Sequence, residues 1–133
     1  MYRLNLNHHF DAAHKLEDYK GACSNLHGHR WDVLVTIEME ELYKDMIIDF
    51  KELKGVINEF DHVTILQKGK NIKLINALNS KDLKVLEVDY NPTAENIVRD
   101  LQQRIKEVVA GGQDEIVTVE LWESPDASIT YSS

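Results

Sequence analysis

Two long stretches of this chain alternate residue by residue between apolar and polar side chains, and that alternation restricts the fold more than any other feature. From Tyr2 to His14 the even positions read Tyr2, Leu4, Leu6, His8, Phe10, Ala12 and His14, while Arg3, Asn5, Asn7 and Asp11 stand among the odd ones. From His27 to about Glu38, the residues His27, His29, Trp31, Val33, Val35 and Ile37 share one parity, and Arg30, Asp32, Thr36 and Glu38 the other. A period of two belongs to extended strands with one face in a core. Between them, Glu17 to Asn25 carries Asp18, Gly21 and Ser24 and reads as a loop.

The same alternation puts His27 and His29 on one side of their strand, one pleat apart with only Gly28 between them, which is a chelating arrangement. His14 falls on the mostly apolar face of the first strand, where an unpaired imidazole needs a partner. It would complete a three-histidine site of the kind that holds a catalytic zinc while a fourth position stays open. His8 and His9 compete for the third place, but His8 lies roughly 20 Å from His14 along an extended strand at about 3.3 Å per residue. Cys23 sits four residues ahead of His27 and reads as a reacting group beside the metal, not a ligand. Taken singly, a His-x-His pair is more often packed or solvated, and a lone cysteine more often inert. Their combination points to a metal-dependent enzyme.

With 133 residues the chain has the length of one ordinary domain, 1–133, large enough for a hydrophobic core without disulfides. A formal charge of −8 argues against nucleic-acid and anionic-membrane partners, although a local Lys and Arg cluster could still bind a phosphorylated small molecule. The single cysteine excludes an intrachain disulfide framework and suits a reducing compartment. Met1-Tyr2-Arg3-Leu4-Asn5 lacks the apolar core of a signal peptide, and no apolar run approaches a membrane span. A soluble, cytoplasmic protein is expected.

Glu40 to Asp45 reads as a turn. Asp49 with Glu52 three residues on has capping-box spacing, and Phe50, Leu53, Val56, Ile57 and Phe60 follow a helical period that ends at Asp61-His62. From Gln67 to Asn91 the pattern is poor. Asn71 to Leu78 fits a short helix and Lys84 to Asp89 a short strand, together an elaborated connection. Pro92-Thr93-Ala94-Glu95-Asn96 opens a further helix, with Pro in its first turn and an apolar stripe of Ala94, Ile97, Val98, Leu101, Ile105 and Val108 that Gly111-Gly112 terminates. Ile116 to Glu123 alternates as a strand with Val117, Val119, Leu121 and Glu123 on one face. A turn at Ser124-Pro125-Asp126 leads to a last strand over Ala127 to Tyr131. The order β-β-α-α-β-β predicts an α+β fold, an antiparallel sheet with two helices on one face.

Across its length the sequence resembles the 6-pyruvoyl-tetrahydropterin synthase and 6-carboxytetrahydropterin synthase family. The resemblance rests on Phe10-Asp11-Ala12-Ala13-His14, Cys23-Ser24-Asn25-Leu26-His27-Gly28-His29, Ile48-Asp49-Phe50, Asp61-His62, Pro92-Thr93-Ala94-Glu95-Asn96 and Glu123, in the family's order. It implies the tunnelling fold, or T-fold, in which four-stranded sheets of several subunits join into a barrel, commonly a homohexamer of two trimers. Joining edge to edge removes the open edges of such a sheet. Two positions depart from the family pattern: Asp45 stands where a glycine is usual, and Ile65-Leu66 where Leu-Asn is usual.

The resemblance also implies chemistry. The family's substrate is 7,8-dihydroneopterin triphosphate, and the metal zinc, Zn2+, held by His14, His27 and His29. Cys23 is the candidate general base, its thiol activated by a nearby cation, and Asp61 with His62 the opposing acid or relay. Glu123 closes an apolar strand face, where an unpaired charge is costly. It is by resemblance the anchor of the pterin's guanidine-like edge, with Thr93 and Glu95 as weaker substrate contacts. Three residues separate Cys23 from His27, as in the 6-carboxytetrahydropterin synthases of the queuosine pathway, which release acetaldehyde and triphosphate. Animal pyruvoyl enzymes carry a longer spacer. The alternatives are 6-pyruvoyl-tetrahydropterin synthesis by triphosphate elimination, or a non-catalytic zinc- or pterin-binding module. Lys15 and Arg30 are near enough to be tested as triphosphate contacts.

Overall fold

A computed structural model describes residues 1–109 and 114–133. The two alternating stretches are its longest strands, β1 (Tyr2–His14) and β2 (His27–Met39). They pair antiparallel without a register break from Tyr2 opposite Met39 to His14 opposite His27. Then follow α1 (Phe50–Asn58), β3 (Val63–Gln67), α2 (Ile72–Ser80), β4 (Val85–Val88), α3 (Ala94–Val108), β5 (Ile116–Ser124) and β6 (Ala127–Ser132). The strands form one six-stranded sheet in the order β4-β3-β1-β2-β5-β6.

The α+β class holds, but the sheet is not wholly antiparallel and a third helix is present. β3 pairs parallel with the end of β1, Ala12 to His14 against Val63 to Ile65, and β4 pairs parallel with β3. β3 escapes sequence reading because Ile65 and Leu66 are adjacent and both fully buried, so the strand has no alternation to detect. The helix expected over Asn71 to Leu78 and the strand over Lys84 to Asp89 appear as α2 and β4. The departure Ile65-Leu66 is thus core. Asp45, the other departure, has a φ of 65°, the left-handed backbone that glycine adopts most cheaply. The proposed stop at Gly111-Gly112 lies outside the described residues.

Alternation delivers the core. Phe10, Trp31, Val35, Ile37, Val117, Val119 and Leu121 are wholly or almost wholly removed from solvent on one sheet face. They meet Leu53, Ile57 and Phe60 from α1 and its exit, and Ile97, Leu101 and Ile105 from α3. Asp49 caps α1 through Lys51 N (2.8 Å), and Thr93 caps α3 through Asn96 N (3.2 Å). Pro92 therefore precedes the cap and is not in the first turn. Among the described residues no helix is long and apolar enough to cross a membrane.

Candidate functional site

The β1–β2 register sets the site. His14 and His27 face each other as the last and first residues of their strands, and His29 lies opposite Ala12 on the same face. Ring centroids are 4.6 to 5.4 Å apart, His29 edge-on to the other two and His14 tilted against His27, backed by the buried ring of Trp31. Glu123, on the same face of β5, completes the group: the donor atoms of His14, His27, His29 and Glu123 all lie within 4.8 Å of one another.

The protons of this cluster are fixed by main-chain carbonyls, which only accept. His14 Nδ1 donates to Pro92 O (2.7 Å) and His27 Nδ1 donates to Asn25 O (2.7 Å). In the neutral rings both Nε2 atoms are then lone pairs, yet they face each other at 3.1 Å. Glu123 Oε1 adds further negative charge 3.2 Å from His14 Nε2 and 3.4 Å from His29 Nε2. His29 Nε2 is itself buried with no hydrogen-bond partner. Burial holds the His14 and His29 imidazoles below their usual value, against the Pro92 carbonyl for the first and Glu123 for the second, so a proton is a poor filling for the gap. The lone pairs of His14 and His27, fixed toward each other and joined by the Glu123 carboxylate and the unpartnered His29 Nε2, call for a cation, and imidazole nitrogens with a carboxylate suit zinc or a similar divalent ion. The residues fit a metal.

Cys23 lies in a short 3-10 turn, Ala22–Ser24, half-buried, its carbonyl accepting from Leu16 N (3.1 Å). It does not join the imidazole cluster. The loop is held instead by Asn91, whose side chain accepts from Glu17 N (2.8 Å) and donates to Glu17 O (2.9 Å). Thus one turn, Asn91-Pro92, touches both the cysteine loop and the His14 ring.

Asp61 and His62 form a separate corner. Asp61 Oδ2 lies 2.9 Å from His62 Nδ1, and its Oδ1 accepts from Asp11 N at 2.9 Å. Burial would raise the Asp61 carboxyl, but the Asp11 backbone N–H and the His62 ring outweigh it and leave the group below its usual range. His62 has a φ of 57°, held there by its own N–H on Asp11 O at 2.6 Å. Asp11 has its carboxylate in this group, so the corner belongs to the odd face of β1, opposite the face of His14. A shallow depression of about 420 Å³ runs beside it over Asp11 to Ala13, Gly28 to Arg30, His62 and Val63, at the end of the strands where His29 also reaches its lining. Thr93 is occupied as a helix cap and Glu95 is exposed in the first turn, so neither converges on the imidazoles. Sequence reasoning missed Asp11, whose odd-face position was the available signal, and the carbonyls of Asn25 and Pro92, for which no residue type gives one.

A family profile described as 6-pyruvoyl tetrahydropterin synthase matches residues 3–133. The chain belongs to that family. Among curated relatives it is 31% identical to 6-carboxy-5,6,7,8-tetrahydropterin synthase of Haemophilus influenzae, covering 98% of this chain and 99% of that one. It is 30% identical to the Aquifex aeolicus protein of the same name, over 98% and 88%. Among solved structures it resembles 6-pyruvoyl tetrahydropterin synthase of Plasmodium falciparum, with a TM-score of 0.67 at 18% identity over 99% of this chain and 97% of that one. The Caenorhabditis elegans protein of that name gives 0.65 at 22%, over 99% and 95%. These likenesses establish the T-fold, and membership establishes a tetrahydropterin synthase-like lyase acting on a pterin.

Proposed function

We propose that this chain is a zinc-dependent 6-carboxytetrahydropterin synthase of the cytoplasm. It would convert 7,8-dihydroneopterin triphosphate and water to 6-carboxytetrahydropterin, acetaldehyde and triphosphate for queuosine biosynthesis. The carrying observation is the convergence of three imidazoles, two of them fixed with their lone pairs facing, at the β1–β2 end, in a chain whose near-full-length curated relatives bear the 6-carboxy name. The three-residue spacer before His27 supports the same branch.

His14, His27 and His29 would hold the ion, and zinc there supplies Lewis-acid chemistry that lowers the pKa of the substrate's side-chain hydroxyls. Cys23 takes the proton from the carbon chain as general base. Asp61 keeps the proton of His62 on Nδ1, which leaves Nε2 to exchange a proton with the substrate. Glu123 accepts the paired N–H groups of the pterin, and Thr93 and Glu95, at the start of α3, would be weaker substrate contacts. Of the two candidate triphosphate contacts, Lys15 is already engaged by Glu17 (3.1 Å), while Arg30 pairs with Asp32 (3.2 Å) at the exposed rim of the depression.

A homohexamer of two trimers is part of this reading. The Asp61–His62 corner and the imidazole cluster occupy opposite faces of β1, so a second copy of the chain is the natural source of the missing half of each site. Incubation of the zinc-loaded protein with dihydroneopterin triphosphate tests the reading by product identification. Stoichiometric acetaldehyde and triphosphate are expected. Triphosphate without acetaldehyde would assign the pyruvoyl reaction, and tight pterin binding without turnover a binding module.

A further inference from the structure

Glu123 stands between two demands. Resting on the zinc reading above, we propose that it is a two-position residue: its carboxylate closes the fourth vertex of the imidazole cluster in the free enzyme and is drawn off by the N–H edge of an arriving pterin. The site is then shut to water and small anions until a molecule with the pterin's donor pattern opens it.

The first support is metric. A tetrahedral ion with bonds of about 2.0–2.1 Å sets its donor atoms about 3.3 Å apart. Three of the six separations, His14–His27, His14–Glu123 and His29–Glu123, are 3.1, 3.2 and 3.4 Å, and all six lie within 4.8 Å. One oxygen, Oε1, makes both carboxylate approaches, as a monodentate fourth ligand would. The second support is the chain around Glu123. The ladder between β2 and β5 runs from Glu38–Ile116 to Asp32–Trp122 and reaches no further toward Glu123. Between β5 and β6 the register shifts between Trp122 and Ser124, so Glu123 is the unpaired residue of a bulge. Bulges re-aim side chains at sites. Val117, Val119 and Leu121 on the same face are fully buried and locked, whereas the Glu123 side chain is 35% exposed and has room to turn outward.

The chemistry of the two positions is shared. A carboxylate facing the His14 lone pair is drawn there by a cation, and a carboxylate facing a guanidine-like edge is held by two N–H donors. Occupying one position releases the other, so metal and pterin compete for Glu123 and their affinities are reciprocally linked.

The test uses the enzyme with its metal replaced by cobalt(II), read by its visible absorption, with azide as a probe of an open coordination position. In the wild type, azide should leave the spectrum unchanged until a pterin without side-chain hydroxyls, such as 6-methylpterin, is added. In Glu123→Gln, which keeps shape and loses charge, azide should perturb the spectrum without any pterin, and cobalt affinity should fall at least about tenfold. Matching thermal melts of the metal-free forms show that the variant folds. Identical spectra, affinity and azide response in wild type and Glu123→Gln would overturn the proposal while leaving the metal site intact. Failure of the wild type to take up cobalt, or uptake unchanged in His27→Ala and His29→Ala, would overturn the zinc reading itself. A wild-type spectrum that admits azide before pterin counts against closure.

Discussion

The imidazole cluster and the Asp61–His62 corner are both polar groups at one end of β1, yet His14 is fully buried and the His62 side chain is 76% exposed. The cation-binding group of the first is assembled within one chain: carbonyls fix the protons of His14 and His27, Trp31 backs the rings and Glu123 faces them. The second is oriented but uncovered, its carboxylate tied to Asp11 N and its imidazole open to whatever approaches. A buried group must satisfy its own electrostatics, whereas an exposed pair can be prepared for a partner supplied from elsewhere. The contrast separates a site that the fold completes from one that it only presents.

The sharpest way to break the comparison is to remove Asp61 from the open corner and Cys23 from the loop tied to the turn that orients His14. Cys23→Ala should lower turnover by about 10²- to 10⁴-fold with zinc content unchanged, as expected for loss of a general base. Retained turnover would make the thiol a bystander. Asp61→Asn should also lose turnover and keep its zinc. If the two halves belong to different copies, chains carrying Cys23→Ala and Asp61→Asn assembled together should regain activity that neither has alone. Persistent inactivity of a verified mixed oligomer would place both halves in one chain.

The smallest effect is thermodynamic and divides the regions by pH. Burial lowers the folded-state values of His14 and His29, so the unfolded chain binds protons first, and metal-free protein should lose stability as pH falls through about 6.5. Asp61 is lowered too. Its contribution is complete above its unfolded value and should be lost only as pH falls from about 3.9 toward the folded value. Melting of metal-free protein from pH 8 to 3 should show both windows, with His29→Asn shrinking the upper and Asp61→Asn the lower. A single window, or assignment the other way round, contradicts the division.

How much of this was legible follows the same line. The strand periods of β1 and β2 were readable because each has one wet face, and with them came the shared face of His14, His27 and His29. Asp49 announced α1 as its cap, and Pro92-Thr93 marked the start of α3, although Pro92 lies before the cap and not in the first turn. β3 was invisible because Val63-Thr64-Ile65-Leu66 offers no alternation. Glu123 was readable as a charge at the end of an apolar row, but not as a neighbour of His14, since the contact depends on β2 lying between β1 and β5.

The two main-chain carbonyls have one more consequence. Because Pro92 O and Asn25 O belong to the backbone, no exchange of side chain at either position can delete the acceptor that orients its ring. Inheritance can erode this arrangement only by bending the chain itself. Variants that lose the ion without touching a histidine should therefore gather at residues such as Asn91, whose amide pins the turn in place.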